Sequence, residues 1–389
     1  MEKVKEYSTS GQSSIYEQLG IKPIINASGS QTVLGGSILT ERVQAAMDAA
    51  NASFAPMAEV FDKTGVVIAE QLGAEAAFVT SGCFAALVLG TAAIMTAHDQ
   101  DKISQLPDTT GLRDEFLIQK KLRYHYDKCI AVPGGKLIEV GDDEGTTTAQ
   151  IEAAIGPKTA GILMLARAED TPGTLSVSQM AQIAEKAGIA LILDAAAEIY
   201  PLERMRELPS SGASLVCYGT KYVGSTHSSG ILCGKRDYVE AAMLNSFISY
   251  ELVDSPAYES NIGRGYKIDR QEVIATTVAL QEWFDMDHEE RLQGEAQKIE
   301  TIASFLKDVE HVSAKNAWEE EKEPWMRLHL ALDTDALGKS SNDIVEELRA
   351  GTPSIWTRPV GDSDIFMTVH TLKDGEAEVV GEALRKALK

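Results

Sequence analysis

Hydrophobic and polar positions change their period repeatedly along this chain. Short, almost unbroken apolar runs stand at Ala76–Thr80, Ala160–Leu165, Ile189–Leu193, Leu215–Tyr218 and Gly230–Cys233. Each is bounded by turn residues, the pattern of a strand buried on both faces. Lys136–Val140, after the turn Pro133-Gly134-Gly135, reads as a further strand. Between the strands lie helical stretches. Phe84–Met95 is apolar on every side and predicts a buried helix. A helix over Ala149–Ile155 stops at Gly156-Pro157. Ser176 or Ser178 can cap a helix with an apolar face of Met180, Ile183, Ala184 and Ala187 that ends at Gly188. Strands alternating with helices predict an α/β domain with a mostly parallel sheet covered on both faces.

The pattern changes after Arg270. A long helical stretch through Trp283 leads into a charged helix from Glu289 to Phe305. The tail mixes strands, Arg327–Leu332 and Phe366–His370, with helices, Asn342–Arg349 and Glu376–Lys386. That mixture predicts a small α+β domain. There is no internal repeat and no low-complexity linker. The expected organisation is an N-terminal arm and a segment packing on the small domain over residues 1–60, a large α/β domain over 61–286, and the small domain over 287–389.

Composition narrows the picture. With 389 residues, 44% of them hydrophobic, the chain can bury a large core and exceeds one compact unit. The formal net charge of −22 argues against nucleic acid as a partner, because such binding draws on clustered Lys and Arg. The acidic runs Asp142-Asp143-Glu144 and Glu319-Glu320-Glu321 read as solvated turns. Cys83, Cys129, Cys217 and Cys233 show neither CxxC spacing nor a paired framework, which suits a reducing cytoplasm. Met1–Ser14 is a polar arm without the apolar segment of a signal peptide. The longest nearly apolar run, Cys83–Met95, is too short to span a bilayer, so no membrane association is expected.

The candidate chemistry gathers at strand ends. Ser81-Gly82-Cys83 is a small-residue turn that opens a helix, where backbone N–H groups and the helix dipole favour an anion such as a phosphate. Asp194 ends an apolar strand, so its carboxylate is expected to be buried and to want a cationic partner, a helix N-cap for the following Ala-rich segment being the alternative. Lys221 follows Tyr218-Gly219-Thr220 and precedes the polar stretch Gly224-Ser225-Thr226-His227-Ser228-Ser229-Gly230. A buried amine has a depressed pKa and becomes nucleophilic near neutrality. An acid for a pyridine nitrogen and an amine for a Schiff base are what pyridoxal phosphate requires. His125, between Tyr124 and Tyr126, is the candidate to stack on such a ring, an exposed aromatic turn being the alternative. Arg264 and Arg358 are candidate clamps for a substrate carboxylate, with surface ion pairing as the alternative. His227 can hydrogen-bond a phosphate or act as an acid. Glu198 and His370 are weaker candidates. A nicotinamide-dinucleotide fold would need G-x-G-x-x-G after an early strand, and Leu34-Gly35-Gly36-Ser37 lacks that spacing.

Asn26-Ala27-Ser28-Gly29, Leu34-Gly35-Gly36-Ser37, Thr80-Ser81-Gly82, Asp194-Ala195-Ala196-Ala197-Glu198 and Lys221 through Leu232 follow one another in a recognisable order. From about Tyr16 to the C-terminus the chain resembles the selenocysteine-synthase-like, D-glucosaminate-6-phosphate ammonia-lyase-like branch of fold-type I pyridoxal-phosphate enzymes. The resemblance implies a large domain with a mostly parallel seven-stranded sheet, and a homodimer or a larger assembly of dimers. It implies pyridoxal 5'-phosphate linked to Lys221, with Asp194 on the pyridinium nitrogen. Ser81, Gly82, Cys83 and Thr220 then lie around the cofactor, and Asn26, Arg264 and Arg358 are substrate candidates. His227 stands where relatives carry Gly-Pro-Gln after the lysine. Leu122 stands near a histidine of the relatives, with His125 three residues on.

The expected activity is lyase chemistry on an amino acid. Lys221 forms the Schiff base and takes the α-proton, a β-hydroxyl departs, and hydrolysis yields a 2-oxo acid and ammonia. Racemisation, aldol cleavage and transamination share the early steps. Selenium transfer to seryl-tRNA is opposed by the acidic charge. A non-catalytic pyridoxal-binding protein is opposed by the presence of both Asp194 and Lys221.

Overall fold

The computed structural model describes residues 15–249, 261–319 and 323–389. The polar arm and part of the acidic run near Glu319 lie outside the described residues. The chain divides into two units, residues 36–286, and residues 1–35 with 287–389.

The larger unit is built on a seven-stranded sheet. Its strands are β1 (Ala76–Thr80), β2 (Glu115–Gln119), β3 (Lys136–Val140), β4 (Thr159–Leu165), β5 (Ala190–Asp194), β6 (Leu215–Gly219) and β7 (Gly230–Gly234). Their order is β1-β7-β6-β5-β4-β2-β3. Only β7 runs antiparallel to its neighbours, and every other adjacent pair is parallel. Every residue of β5, β6 and β7 is buried, which is why these strands read as continuous apolar runs. The expected mostly parallel sheet is present. The pattern did not reveal β2, whose apolar core of Phe116, Leu117 and Ile118 is flanked by Glu115 and Gln119.

Local sequence sets the helices. Ser176, not Ser178, caps the helix Val177–Ala187 in a reciprocal box with Gln179, and Gly188 closes it in the left-handed conformation. Thr147 and Gln150 make the same box for Thr148–Ala154. The helix Cys83–Thr96 is buried along most of its length, as its all-round apolar sequence requires. Strand register then levels the functional ends. Thr80 and Gly219 both lie opposite Gly230, and Asp194 lies opposite Cys217. The ends of β1, β5 and β6 therefore share one sheet edge, where ligands of open α/β sheets bind.

The smaller unit carries a four-stranded antiparallel sheet, ordered Arg358–Val360, Asp364–Thr368, Arg327–Leu332 and Val312–Asn316. Arg327–Leu332 alternates between partly exposed and buried positions, the signature of a sheet with one core face. Leu328, Leu330, Ile365, Met367, Ile344 and Leu384 are buried in that core. The strand expected at Phe366–His370 begins and ends two residues earlier, at Asp364–Thr368. Pairing of Leu330 with Ile365 and Leu328 with Met367 fixes that register. Beyond it Val369 enters a turn, accepting a hydrogen bond from the Leu372 N–H.

His370 is held at the end of this sheet. Its ring stacks on Trp325 with centroids 4.1 Å apart, and its Nε2 lies 3.3 Å from the Ser30 hydroxyl. Its Nδ1 is buried without a hydrogen-bond partner. Burial, then the charges of Arg291 and Lys298, pushes its pKa down to about 3. The unfolded chain takes up this proton near pH ~6.5 while the native state does not, so stability falls as pH drops between those values, by at most about 1.4 kcal/mol per pH unit. Urea unfolding at pH 7.5 and pH 5 should show a larger loss for wild type than for His370→Asn. Identical losses would contradict this account of His370.

Candidate active site

The shared sheet edge brings Ser81, Asp194 and Lys221 together. Gly82, at φ 93° and ψ 162°, is the N-cap of the helix Cys83–Thr96, a backbone conformation that favours glycine. A Cβ on the facing Gly230 would come within 2.6 Å of both the Gly82 carbonyl carbon and the Cys83 nitrogen. Two glycines thus allow β7 to pass directly under the turn. The Ser81 hydroxyl beside them is buried and has no hydrogen-bond partner.

Asp194 is 8% exposed. Its Oδ2 accepts a 2.6 Å hydrogen bond from the Tyr124 hydroxyl, and its Oδ1 accepts one of 3.1 Å from the Ala196 N–H. The Cys83 thiol lies 3.7 Å from Oδ1 and also donates to the Cys217 carbonyl at 3.3 Å. Burial raises the carboxyl's pKa, and the donors Tyr124, Ala196 and Cys83 pull against that rise. Burial, reinforced by the Asp194 charge, pushes the Cys83 thiol and the Tyr124 phenol up, so both stay protonated as donors.

Lys221 follows β6 in a short 3-10 turn over Thr220–Val223. Its Nζ stands 5.0 Å from the centroid of the Tyr222 ring. The amine is half-buried, and that burial lowers its pKa below the ordinary lysine value. The polar stretch after it is a hydroxyl network. Ser229 Oγ lies 2.6 Å from Thr220 Oγ1 and 3.1 Å from Ser225 Oγ, which in turn lies 2.9 Å from Thr276 Oγ1. Thr220 is buried and its hydroxyl is committed to this network. His227 has a buried Nδ1 without a hydrogen-bond partner, and burial together with the Lys221 charge lowers its pKa.

His125 is exposed, and it is the neighbouring Tyr124 that reaches Asp194. Arg264 is exposed on the larger unit. Arg358 and Asn26 belong to the smaller unit, so the residues gathered by the large sheet do not include them. The Asn26 side chain holds a local turn, donating to the Gly29 carbonyl and accepting from the Ser28 N–H. Glu198 is buried between Arg167, at 2.6 Å, and Arg204, at 3.3 Å. Among the described residues no cluster of His, Cys, Asp and Glu could hold a metal ion.

The donor set fits pyridoxal phosphate. It offers an orphaned serine hydroxyl at a glycine-relaxed helix start, a buried carboxylate and a half-buried amine. D-glucosaminate-6-phosphate ammonia lyase of Salmonella typhimurium is 26% identical over 379 residues, covering 96% of this chain and 97% of the relative. The solved structure titled as that ammonia-lyase superposes with a TM-score of 0.84 at 26% identity, covering 97% of this chain and 99% of the other. The chain is a homologue of this ammonia-lyase and has the fold of the type I pyridoxal-phosphate enzymes. A 5'-C-glycyluridine monooxygenase-decarboxylase from Streptomyces is 28% identical over 351 residues, covering 88% of this chain and 84% of the relative. A serine palmitoyltransferase from S. paucimobilis with bound pyridoxal phosphate and myriocin shares the fold at a TM-score of 0.56 and 12% identity, covering 94% of this chain and 87% of the other. No family model matches the chain. Among the described residues no helix is long and apolar enough to cross a membrane.

Proposed function

We propose that this protein is a pyridoxal-phosphate-dependent ammonia-lyase acting on a 2-amino-3-hydroxy acid, the class that includes D-glucosaminate 6-phosphate. The observation that carries the reading is the placement of Ser81, Asp194 and Lys221 on one sheet edge, in a chain that matches the ammonia-lyase along almost its whole length. Pyridoxal phosphate, when bound, supplies the electron sink that makes the substrate α-proton removable.

The chain's own residues do the rest. Ser81 and the N–H groups that open the helix Cys83–Thr96 take the phosphate. Asp194 would face the protonated ring nitrogen and keep that proton in place. Lys221 would hold the cofactor in the resting enzyme, and its freed amine would take the substrate α-proton. His227 would relay to the leaving β-hydroxyl the proton that Lys221 has taken up, and the hydroxyl would depart as water. Lys221 would reclaim the cofactor as the product nitrogen leaves it, and the released enamine would take up one water to give the 2-oxo acid and ammonia. Arg264 clamps the substrate carboxylate. His125 borders the pocket beside Tyr124.

The same reading places the enzyme in the cytoplasm as a homodimer. Four free cysteines suit a reducing compartment. Sedimentation of the purified protein checks the assembly.

The activity is tested by incubating the protein with pyridoxal phosphate and a panel of D- and L-2-amino-3-hydroxy acids that includes D-glucosaminate 6-phosphate. Equal amounts of ammonia and 2-oxo acid are expected from at least one of them. Racemised substrate or an aldehyde product in their place would overturn the lyase reading.

A further inference from the structure

Tyr124 has no place in the mechanism above, yet it makes the shortest contact to the buried acid. Its hydroxyl donates to Asp194 Oδ2 at 2.6 Å, while the Ala196 N–H, at 3.1 Å, and the Cys83 thiol, at 3.7 Å, share Oδ1. Seventy positions separate Tyr124 from Asp194, so the fold has to bring the pair together. It does so through the loop that leaves β2. Lys120–Leu122 forms a 3-10 turn with Leu122 buried, and a second such turn, Asp127–Ile130, follows Tyr126. Buried Asp127 fixes the segment between them, accepting from the Tyr124 N–H at 3.2 Å and from Arg123 Nε at 2.5 Å. The phenol is therefore aimed by its own backbone and not by chance packing.

We propose that Tyr124 is a positioning residue that holds Asp194 as an oriented anion and so sets the charge on the pyridine nitrogen of the cofactor. The proposal rests on the cofactor reading given above. A buried carboxylate without strong donors takes up a proton, and a neutral acid cannot stabilise a pyridinium. A hydroxyl donor to one oxygen offsets that tendency and leaves lone pairs of the carboxylate for the ring nitrogen. Because the Tyr124 phenol stays protonated in this setting, the donor remains in place across the working pH range. With the phenol removed, Asp194 becomes the stronger base and draws the proton off the ring nitrogen. The ring then withdraws fewer electrons, and the nitrogen that joins it to Lys221 becomes more basic.

Tyr124→Phe keeps the ring and deletes only the hydroxyl. In the full-length protein, pyridoxal phosphate binding should weaken on the order of 10-fold or more, the size set by losing a hydrogen bond to a charged group. The pH midpoint at which the visible absorbance of the lysine-linked cofactor disappears should move upward. In an Asp194→Asn background the same substitution should change neither quantity further. Wild-type affinity and midpoint in Tyr124→Phe would overturn the proposal, because a packing role for the ring predicts that result. Equal losses in both backgrounds would also overturn it, by showing that Tyr124 acts independently of Asp194. Should the wild-type protein itself take up no pyridoxal phosphate, the cofactor reading fails first, an outcome distinct from the other two.

Discussion

Replacing Lys221 with alanine is expected to abolish both the visible absorbance of the cofactor-loaded protein and its ammonia release. Two roles are lost together. The amine is the covalent anchor, and once displaced it is the base nearest the α-proton. Loss of a general base alone costs about 10²–10⁴-fold in rate. Its half-buried position at the end of β6 lowers its pKa below the ordinary lysine value, which favours its acting as a base. Lys221→Arg separates charge from chemistry, because arginine keeps the positive charge and cannot deprotonate. Arginine should be as inactive as alanine. Substantial ammonia release from either variant would show that another group anchors the cofactor and moves the proton.

The second large effect is at Asp194. Asp194→Asn keeps the size and one hydrogen-bonding oxygen but removes the charge opposite the ring nitrogen. The rate should fall on the order of 10²–10³-fold, the scale of losing one preorganised electrostatic contact in a water-excluded site. Substrate affinity should change much less, because the carboxylate acts on the ring and not on the substrate. A matched comparison of kcat and KM for wild type and variant reads this directly. An unchanged kcat with a raised KM would place Asp194 in substrate binding. The variant should remain folded, since its contacts with Tyr124, Ala196 and Cys83 involve groups that an amide can also meet.

These expectations rest on features of unequal visibility in the sequence. Asp194 and Lys221 were legible because each breaks a continuous apolar run at its end, and a charge there must be buried or functional. The turn at residues 81–83 was legible from small residues before an all-apolar helix. Tyr124 was visible only as a flank of His125, because β2 went unread. Glu115 and Gln119 shorten its apolar run to Phe116–Ile118, and without that strand the following loop had no anchor. With the strand in place, the loop turns the Tyr124 phenol toward Asp194 and leaves His125 exposed.

Thr220 shows another limit. It stands beside Lys221, and its hydroxyl bonds Ser229 within a network that reaches Thr276. Such long-range pairing has no local periodic signal. Asn26 is similar, since its side chain closes a turn at residues 26–29. In the smaller unit, alternation exposed Arg327–Leu332 at once, whereas Val312–Asn316 was missed because none of its positions is fully buried.

The most direct test of the central claim is chemical trapping. Full-length protein loaded with pyridoxal phosphate is reduced with borohydride, digested, and the modified lysine located by mass spectrometry. The account predicts a single reduced adduct on Lys221, lost when substrate is added before reduction. An adduct on a different lysine, or none at all, would contradict it.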